Sequence, residues 1–329
     1  MSINDKISVI IPVYNLQNYI KRTLDSVCAQ THSNIEIIVV DDGSNDKSFD
    51  IICNYAKIDS RIIPIHQENG GVTSARINGI KHATGEWIGF VDGDDLIDED
   101  MYEFLINNAV KYNADISHCG YKMVLGAKRV DYYHNTGCLV EQDNLKGLCD
   151  LLEGTMVEPG LCNKLFHHTL FQNLLHTGVM NTEIKNYEDL LMNYYLFKES
   201  KKSVFEDVCK YHYMVRNNSA ATSSFNPNKF NGPKLVFETI MADCNNDELY
   251  QIAFSRYIGF LIGKSTAKIP TEYKNEAKKT IKSNMKLILK LLNNKVKMMS
   301  ILTVCLPHLY LLIRRIYEKI TKIDQKYSV

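Results

Sequence analysis

Residues 6–14 read KISVIIPVY, an almost unbroken string of apolar and β-branched side chains. A strand buried on both faces of a parallel sheet has this pattern. Over residues 18–30, Ile20, Leu24, Val27 and Cys28 recur at helical spacing and predict a helix. A second apolar run, 35–40, ends in Asp41-Asp42-Gly43-Ser44. Then follow a predicted helix over 48–57, a strand over 61–66, a helix over 72–83 behind Gly70 and Gly71, and a strand over 87–91. The last of these strands ends in Asp92-Gly93-Asp94-Asp95. Strand and helix alternate, which predicts right-handed βαβ units and a doubly wound, mainly parallel, Rossmann-like α/β sheet. Such sheets bind ligands beyond the carboxyl ends of their strands, where the conspicuous polar residues of this chain fall.

Beyond Asp100 the pattern predicts a helix to about residue 112 and a short strand near 115–121, with a mixed stretch following to about 224. From about residue 233 the chain reads as helical. Met285, Ile288, Leu289 and Leu292 mark an amphipathic segment over 282–292.

Composition adds an apparent neutrality. The 329 residues hold 38 Lys+Arg and 38 Asp+Glu. That balance excludes a globally basic nucleic-acid binder and an acidic disordered chain, so no nucleic-acid partner is expected. The charges are nonetheless segregated. Residues 264–329 carry 15 basic and 4 acidic side chains, a net of +11, which leaves −11 for residues 1–263. Residues 286–322 interleave Lys and Arg with Leu, Ile, Met and Tyr, and 298–313 is strongly apolar but interrupted by Pro307 and His308. It is too short to span a bilayer. It fits an interfacial helix on an anionic membrane surface. The rival is a helix pair packed on the preceding domain or on another subunit, which leaves a homo-oligomer open. Nine cysteines without a CxxC pair, and an N-terminus without a leader pattern, predict a cytoplasmic protein, which the basic, apolar tail would place at the inner face of the plasma membrane as a peripheral protein.

The chemistry clusters at the predicted strand ends. Asp92, Asp94 and Asp95 repel one another, and a hard divalent cation such as Mn²⁺ or Mg²⁺ relieves that repulsion. A polar turn opening a helix would look the same. Asp41 and Asp42 could accept hydrogen bonds from a base or ribose, and Tyr14 could stack on a base. The segment Asn69-Gly70-Gly71 through Arg76 offers flexible backbone and a cation to a phosphate. It is neither a Walker loop nor a GxGxxG fingerprint.

Taken in order, residues 7–95 resemble family 2 of the glycosyltransferases, inverting enzymes with the GT-A fold. The matching blocks are SVIIPVYN at 8–15, VDDGSND at 40–46, GVTSAR at 71–76 with Gly79 and Ile80, and ATGEWIGFVDGDD at 83–95. Ile77 departs from the pattern, since an Asn usually follows the Arg. The resemblance implies that Pro12, Tyr14 and Asp42 hold the nucleoside, with Asp41 nearby and Arg76 on the nucleotide side. The Asp92-Gly93-Asp94 turn becomes the DxD motif, with Asp94 the main metal ligand and Asp92 assisting. A UDP-sugar is the default donor.

The resemblance continues through Asn163-Lys164-Leu165-Phe166, which places Lys164 on the acceptor side, and through Asn186 to Leu191. There Asp189 would be the catalytic base, with Glu188 the competing candidate. In the segment 211–219, Arg216 and Ser219 would close over the diphosphate, and His212 would be an acceptor contact or a packed core histidine. A catalytic domain over 1–225 is thus expected, its nucleotide half ending and its acceptor half beginning near residue 120, with a basic helical region over 226–329. The implied acceptor is a glycan or lipid-linked sugar of cell-surface polysaccharide. A nucleotide-sugar-binding scaffold without catalysis is the alternative. A nucleotidyltransferase would need a basic, glycine-rich loop after the first strand, which residues 12–18 lack.

Overall fold

The computed structural model describes residues 1–126, 129–132, 134–155, 157–177, 180, 182–216 and 224–321. The chain divides into two compact units, Met1–Arg216 and Asn217–Val329.

The first apolar run forms β1 (Ile7–Val13), buried at every position. It is followed by α1 (Ile20–Cys28), β2 (Ile35–Asp42), α2 (Ser48–Ala56), β3 (Ile62–Gln67), α3 (Val72–His82) and β4 (Trp87–Phe90). β2 and β4 are likewise buried throughout. β3, β2, β1 and β4 lie side by side in that order, all parallel, as the alternating pattern predicts. The helix and strand limits differ from the sequence reading by one or two residues.

α3 lies close against β1. A Cβ on Gly79 would come 2.4 Å from Ile10 Cγ2, so only glycine lets the helix approach this near. Gly79→Val is therefore expected to destabilise the fold by about 1–3 kcal/mol through overpacking. An unchanged denaturant midpoint would refute that close approach.

The second half of this unit is mixed. It runs β5 (Leu96–Ile97), α4 (Met101–Tyr112), β6 (Ile116–Leu125), β7 (Arg129–Tyr132), β8 (Leu139–Asp143), α5 (Asn144–Glu153), β9 (Lys164–His167), α6 (Phe171–Thr177), α7 (Glu188–Glu199) and β10 (Lys202–Val215). β9 enters antiparallel between β4 and β6, and β10 then pairs parallel with β6. β9 escapes sequence reading because it is four residues long and carries a fully buried lysine. β6 extends four residues past its predicted end because β7 and β10 flank it.

The unit Asn217–Val329 holds helices α8 (Asn228–Asp243), α9 (Asp247–Thr266), α10 (Thr271–Ser283), α11 (Met285–Leu291), α12 (Asn294–Cys305) and α13 (Pro307–Thr321). α9 is its core helix, burying Phe254, Tyr257, Ile258, Leu261 and Ile262. The Asn246 side chain caps α9 by accepting from the Glu248 and Leu249 amides. Among the described residues, no helix is long and apolar enough to cross a membrane.

Candidate active site

The site begins at the carboxyl ends of β1, β2 and β4. Successive side chains of a strand point to opposite faces, so Asp41 and Asp42 diverge. Asp42 turns toward the start of α3. Its carboxylate accepts from Gln67 Nε2 and from the amides of Gly70 and Gly71, each at 2.8 Å. The sequence reading assigned those amides to a phosphate. In the structure a buried side-chain carboxylate takes them first, because a helix start favours any nearby anion. Asp41 is fully buried, and its Oδ2 meets His66 Nδ1 at 2.8 Å and accepts from the Ser44 amide at 3.2 Å. Its Oδ1 has no partner among the described residues. Tyr14 is half exposed, so its ring is open for stacking.

The turn after β4 is wedged beneath β1. A Cβ on Gly93 would lie 2.8 Å from Leu16 Cδ1 and 3.0 Å from the Pro12 carbonyl oxygen. The three aspartates of this turn have different fates. Asp95 is buried and accepts from Tyr211 Oη at 2.6 Å and the Met214 amide at 2.7 Å, which ties the turn to β10. Asp92 pairs with Arg76 Nη2 at 3.0 Å. Asp94 pairs with Arg216 Nε, and Arg22 Nη2 donates to its backbone carbonyl at 3.0 Å. The Arg216 guanidinium lies 4.9 Å from the centre of the Tyr19 ring. Burial and the neighbouring Asp92 raise the Asp94 carboxyl above its ordinary range, while Arg216 opposes them. Ser219 lies outside the described residues.

Among the described residues, no three His, Cys, Asp or Glu side chains are grouped to cage a metal. Asp92 and Asp94 nonetheless supply hard carboxylate oxygens from one turn, and burial disfavours the charge on Asp94. That donor set fits Mg²⁺ or Mn²⁺, which typically take one or two protein carboxylates and complete their shell from phosphates and water.

A second pair of acids arrives from α7. Tyr187 immediately precedes it with a left-handed φ of 68°, a conformation that non-glycine residues rarely hold and that recurs at functional sites. The helix then opens with Glu188 and Asp189. Arg76, only 5% exposed, bridges the two halves, since its Nη1 reaches Glu188 Oε1 at 3.3 Å while Nη2 holds Asp92. Burial and the adjacent Asp189 push the Glu188 carboxyl up to about 7. Burial also raises Asp189, with Arg76 opposing. Arg76, Asp92, Asp189, Cys162, Tyr211 and Tyr213 line a cleft of about 130 Å³.

The structure therefore brings Arg76, Asp92 and Asp189 together, with Glu188 on the same guanidinium. Lys164 stands behind the cleft wall rather than in it. Its buried ammonium donates to the carbonyls of Glu158 and Gly160, both at 2.6 Å, and to Asn163 Oδ1 at 2.9 Å. Burial brings it down to about 8. It staples the loop that forms the wall. His212 is not in the cleft. Strand alternation points it away from Tyr211 and Tyr213, and its Nε2 meets Asp98 Oδ1 at 2.5 Å. Sequence reasoning missed His66, Tyr211 and the Arg76–Glu188 link, because each depends on a partner distant along the chain.

Residues 8–172, just over half of the chain, match the family model described as glycosyl transferase family 2. The glycosyltransferase GlyA of Streptococcus pneumoniae serotype 4 is 34% identical over 227 residues, which are 67% of this chain and 32% of GlyA. The putative glycosyltransferase EpsH of Bacillus subtilis is 32% identical over 218 residues, 64% of this chain and 60% of EpsH. The chain thus spans less than two thirds of either relative. Among solved structures, S. aureus TarS 1-349 in complex with UDP superposes with a TM-score of 0.70 at 19% identity, over 95% of this chain and 91% of that one. TarS 1-349 in complex with UDP-GlcNAc gives 0.69 at 21% identity, over 88% and 82%. The fold is that of the GT-A glycosyltransferases, and with the family match reaching from β1 into α6, this chain belongs to glycosyltransferase family 2.

Proposed function

We propose that this chain is an inverting glycosyltransferase. It moves a sugar from a nucleotide-diphosphosugar to a glycan or lipid-linked acceptor in cell-surface polysaccharide synthesis. The observation that carries the reading is the buried Arg76. It joins Asp92 of the donor-side turn to Glu188 beside Asp189, so both sets of acids converge on one cleft. A uridine donor is supported by TarS, of the same fold, being solved with UDP and UDP-GlcNAc.

In the proposed reaction an acceptor hydroxyl oxygen attacks the anomeric carbon, and the bond from that carbon to the diphosphate oxygen breaks. The diphosphate leaves with the electron pair. The hydroxyl proton passes to an Asp189 carboxylate oxygen, the acid of the pair that lines the cleft. Asp94 and Asp92 would hold Mn²⁺ or Mg²⁺, which when bound neutralises charge on the leaving diphosphate. Arg216 stands at Asp94 to meet that same charge. Arg76 keeps Asp92 and Glu188 in place. A lipid-linked acceptor puts the reaction at the inner face of the plasma membrane. The test is donor hydrolysis over a panel of nucleotide sugars with Mn²⁺ or Mg²⁺. Binding without hydrolysis or transfer for every donor would favour a scaffold instead.

The raised Glu188 carboxyl has a pH consequence. Between its ordinary 4.5 and about 7, the folded chain holds a proton that the unfolded chain has released. Stability therefore falls as pH rises through that window and stays reduced above it. Glu188→Gln is expected to abolish this contribution. Denaturant midpoints of both forms at about pH 5 and about pH 8 check it. The same pH dependence in both forms would refute the assignment.

A further inference from the structure

α12 and α13 are turned inside out for helices that face only water and their own unit. α12 packs against α9, α10, α11 and α13, and the side chains it buries fully are Ser300 and Thr303. Among the described residues their hydroxyls find no tertiary partner. They bond back to the carbonyls of Val296 at 2.8 Å and Met299 at 2.7 Å. The same helix exposes Met298 and Ile301. α13 exposes Leu309, Leu312, Ile313 and Ile316, a stripe at helical spacing, while Tyr310 is its buried anchor. Leu306, between the helices, is also exposed. A helix fitted to water would place these two sets of residues the other way round.

The surroundings indicate what covers the stripe. Arg315 and Lys295 are exposed beside it, and Lys297 is partly so. Arg314 turns inward and donates to Thr266 Oγ1 on α9. The region 264–329 carries its net charge of +11. An apolar stripe flanked by cations matches the headgroup boundary of an anionic bilayer, where the apolar side enters the acyl layer and the cations meet phosphate.

We propose that the exposed apolar stripe of α12 and α13 is the face by which this chain lies on an anionic lipid surface. The proposal goes beyond the transfer chemistry and does not depend on it. Flotation of the full chain with vesicles tests it and needs neither donor nor acceptor, so failure here leaves the glycosyltransferase reading standing. Vesicles of phosphatidylglycerol mixed into phosphatidylcholine are expected to float the chain at least about ten-fold better than phosphatidylcholine alone, with the difference shrinking at high salt. A variant combining Leu309→Gln, Leu312→Gln and Ile313→Gln should lose flotation at an unchanged helix content and melting temperature. A second variant, Lys295→Gln with Lys297→Gln and Arg315→Gln, should keep its fold and lose the preference for anionic vesicles. Parental flotation by both variants would overturn the proposal. So would a wild-type chain that ignores anionic vesicles, or that self-associates through this stripe and separates into monomers in the first variant.

Discussion

Asp189→Asn is expected to lower kcat by about 10²–10⁴-fold, the usual contribution of a positioned general base, with little change in donor KM. The amide keeps the shape of the carboxylate and its place in the cleft, but it cannot take the acceptor proton. The neighbouring acid supplies the control. Glu188 is pushed up to about 7 and held at 3.3 Å by Arg76, so Glu188→Gln removes one contact of a cation rather than the proton acceptor. A smaller loss is expected there. Steady-state transfer rates for the two variants decide the matter. A parental rate for Asp189→Asn beside a collapsed one for Glu188→Gln would reverse the assignment.

Arg76→Met is expected to destabilise the unit Met1–Arg216 by about 3–5 kcal/mol, the range for removing one partner from a buried charge cluster. Methionine fills much of the space but leaves Asp92 and Glu188 without the cation each faces. Arg76→Lys should recover only part of the loss, since a single ammonium cannot fork between two carboxylates. Trp87, the sole tryptophan, is fully buried in β4 and reports on this unit alone. Urea unfolding followed by its fluorescence measures the difference. A loss below about 1 kcal/mol would mean the cluster is solvated and behaves like a surface pair.

The half of the fold that the sequence revealed is the half built from neighbours. β1, β2 and β4 are continuous apolar runs separated by helical periods, so pattern alone places them. The acids at their ends could be located without knowing what they touch. What they touch was hidden. Asp42 captures the Gly70 and Gly71 amides, and Asp95 becomes a tie to β10, because backbone donors and Tyr211 arrive in three dimensions. Glu188 and Asp189 became visible only through family resemblance, since an acid pair opening a helix is common on physical grounds alone. β9 gave no signal because its lysine is buried by hydrogen bonds to a loop, and such bonds leave no periodicity.

The antiparallel entry of β9 between β4 and β6 also sets an order of assembly. A chain emerging from its N-terminus can pair β1 to β4 once residue 90 is free, because each crossover is local. β6 can pair with β7 at once but joins this sheet only through β9, and its long parallel register with β10 waits for residues beyond 200. Loop closure over that distance is the slow step in such topologies. The parallel half of the sheet can therefore form while β9, α7 and β10 are still being synthesised, and the cleft between the two halves closes last.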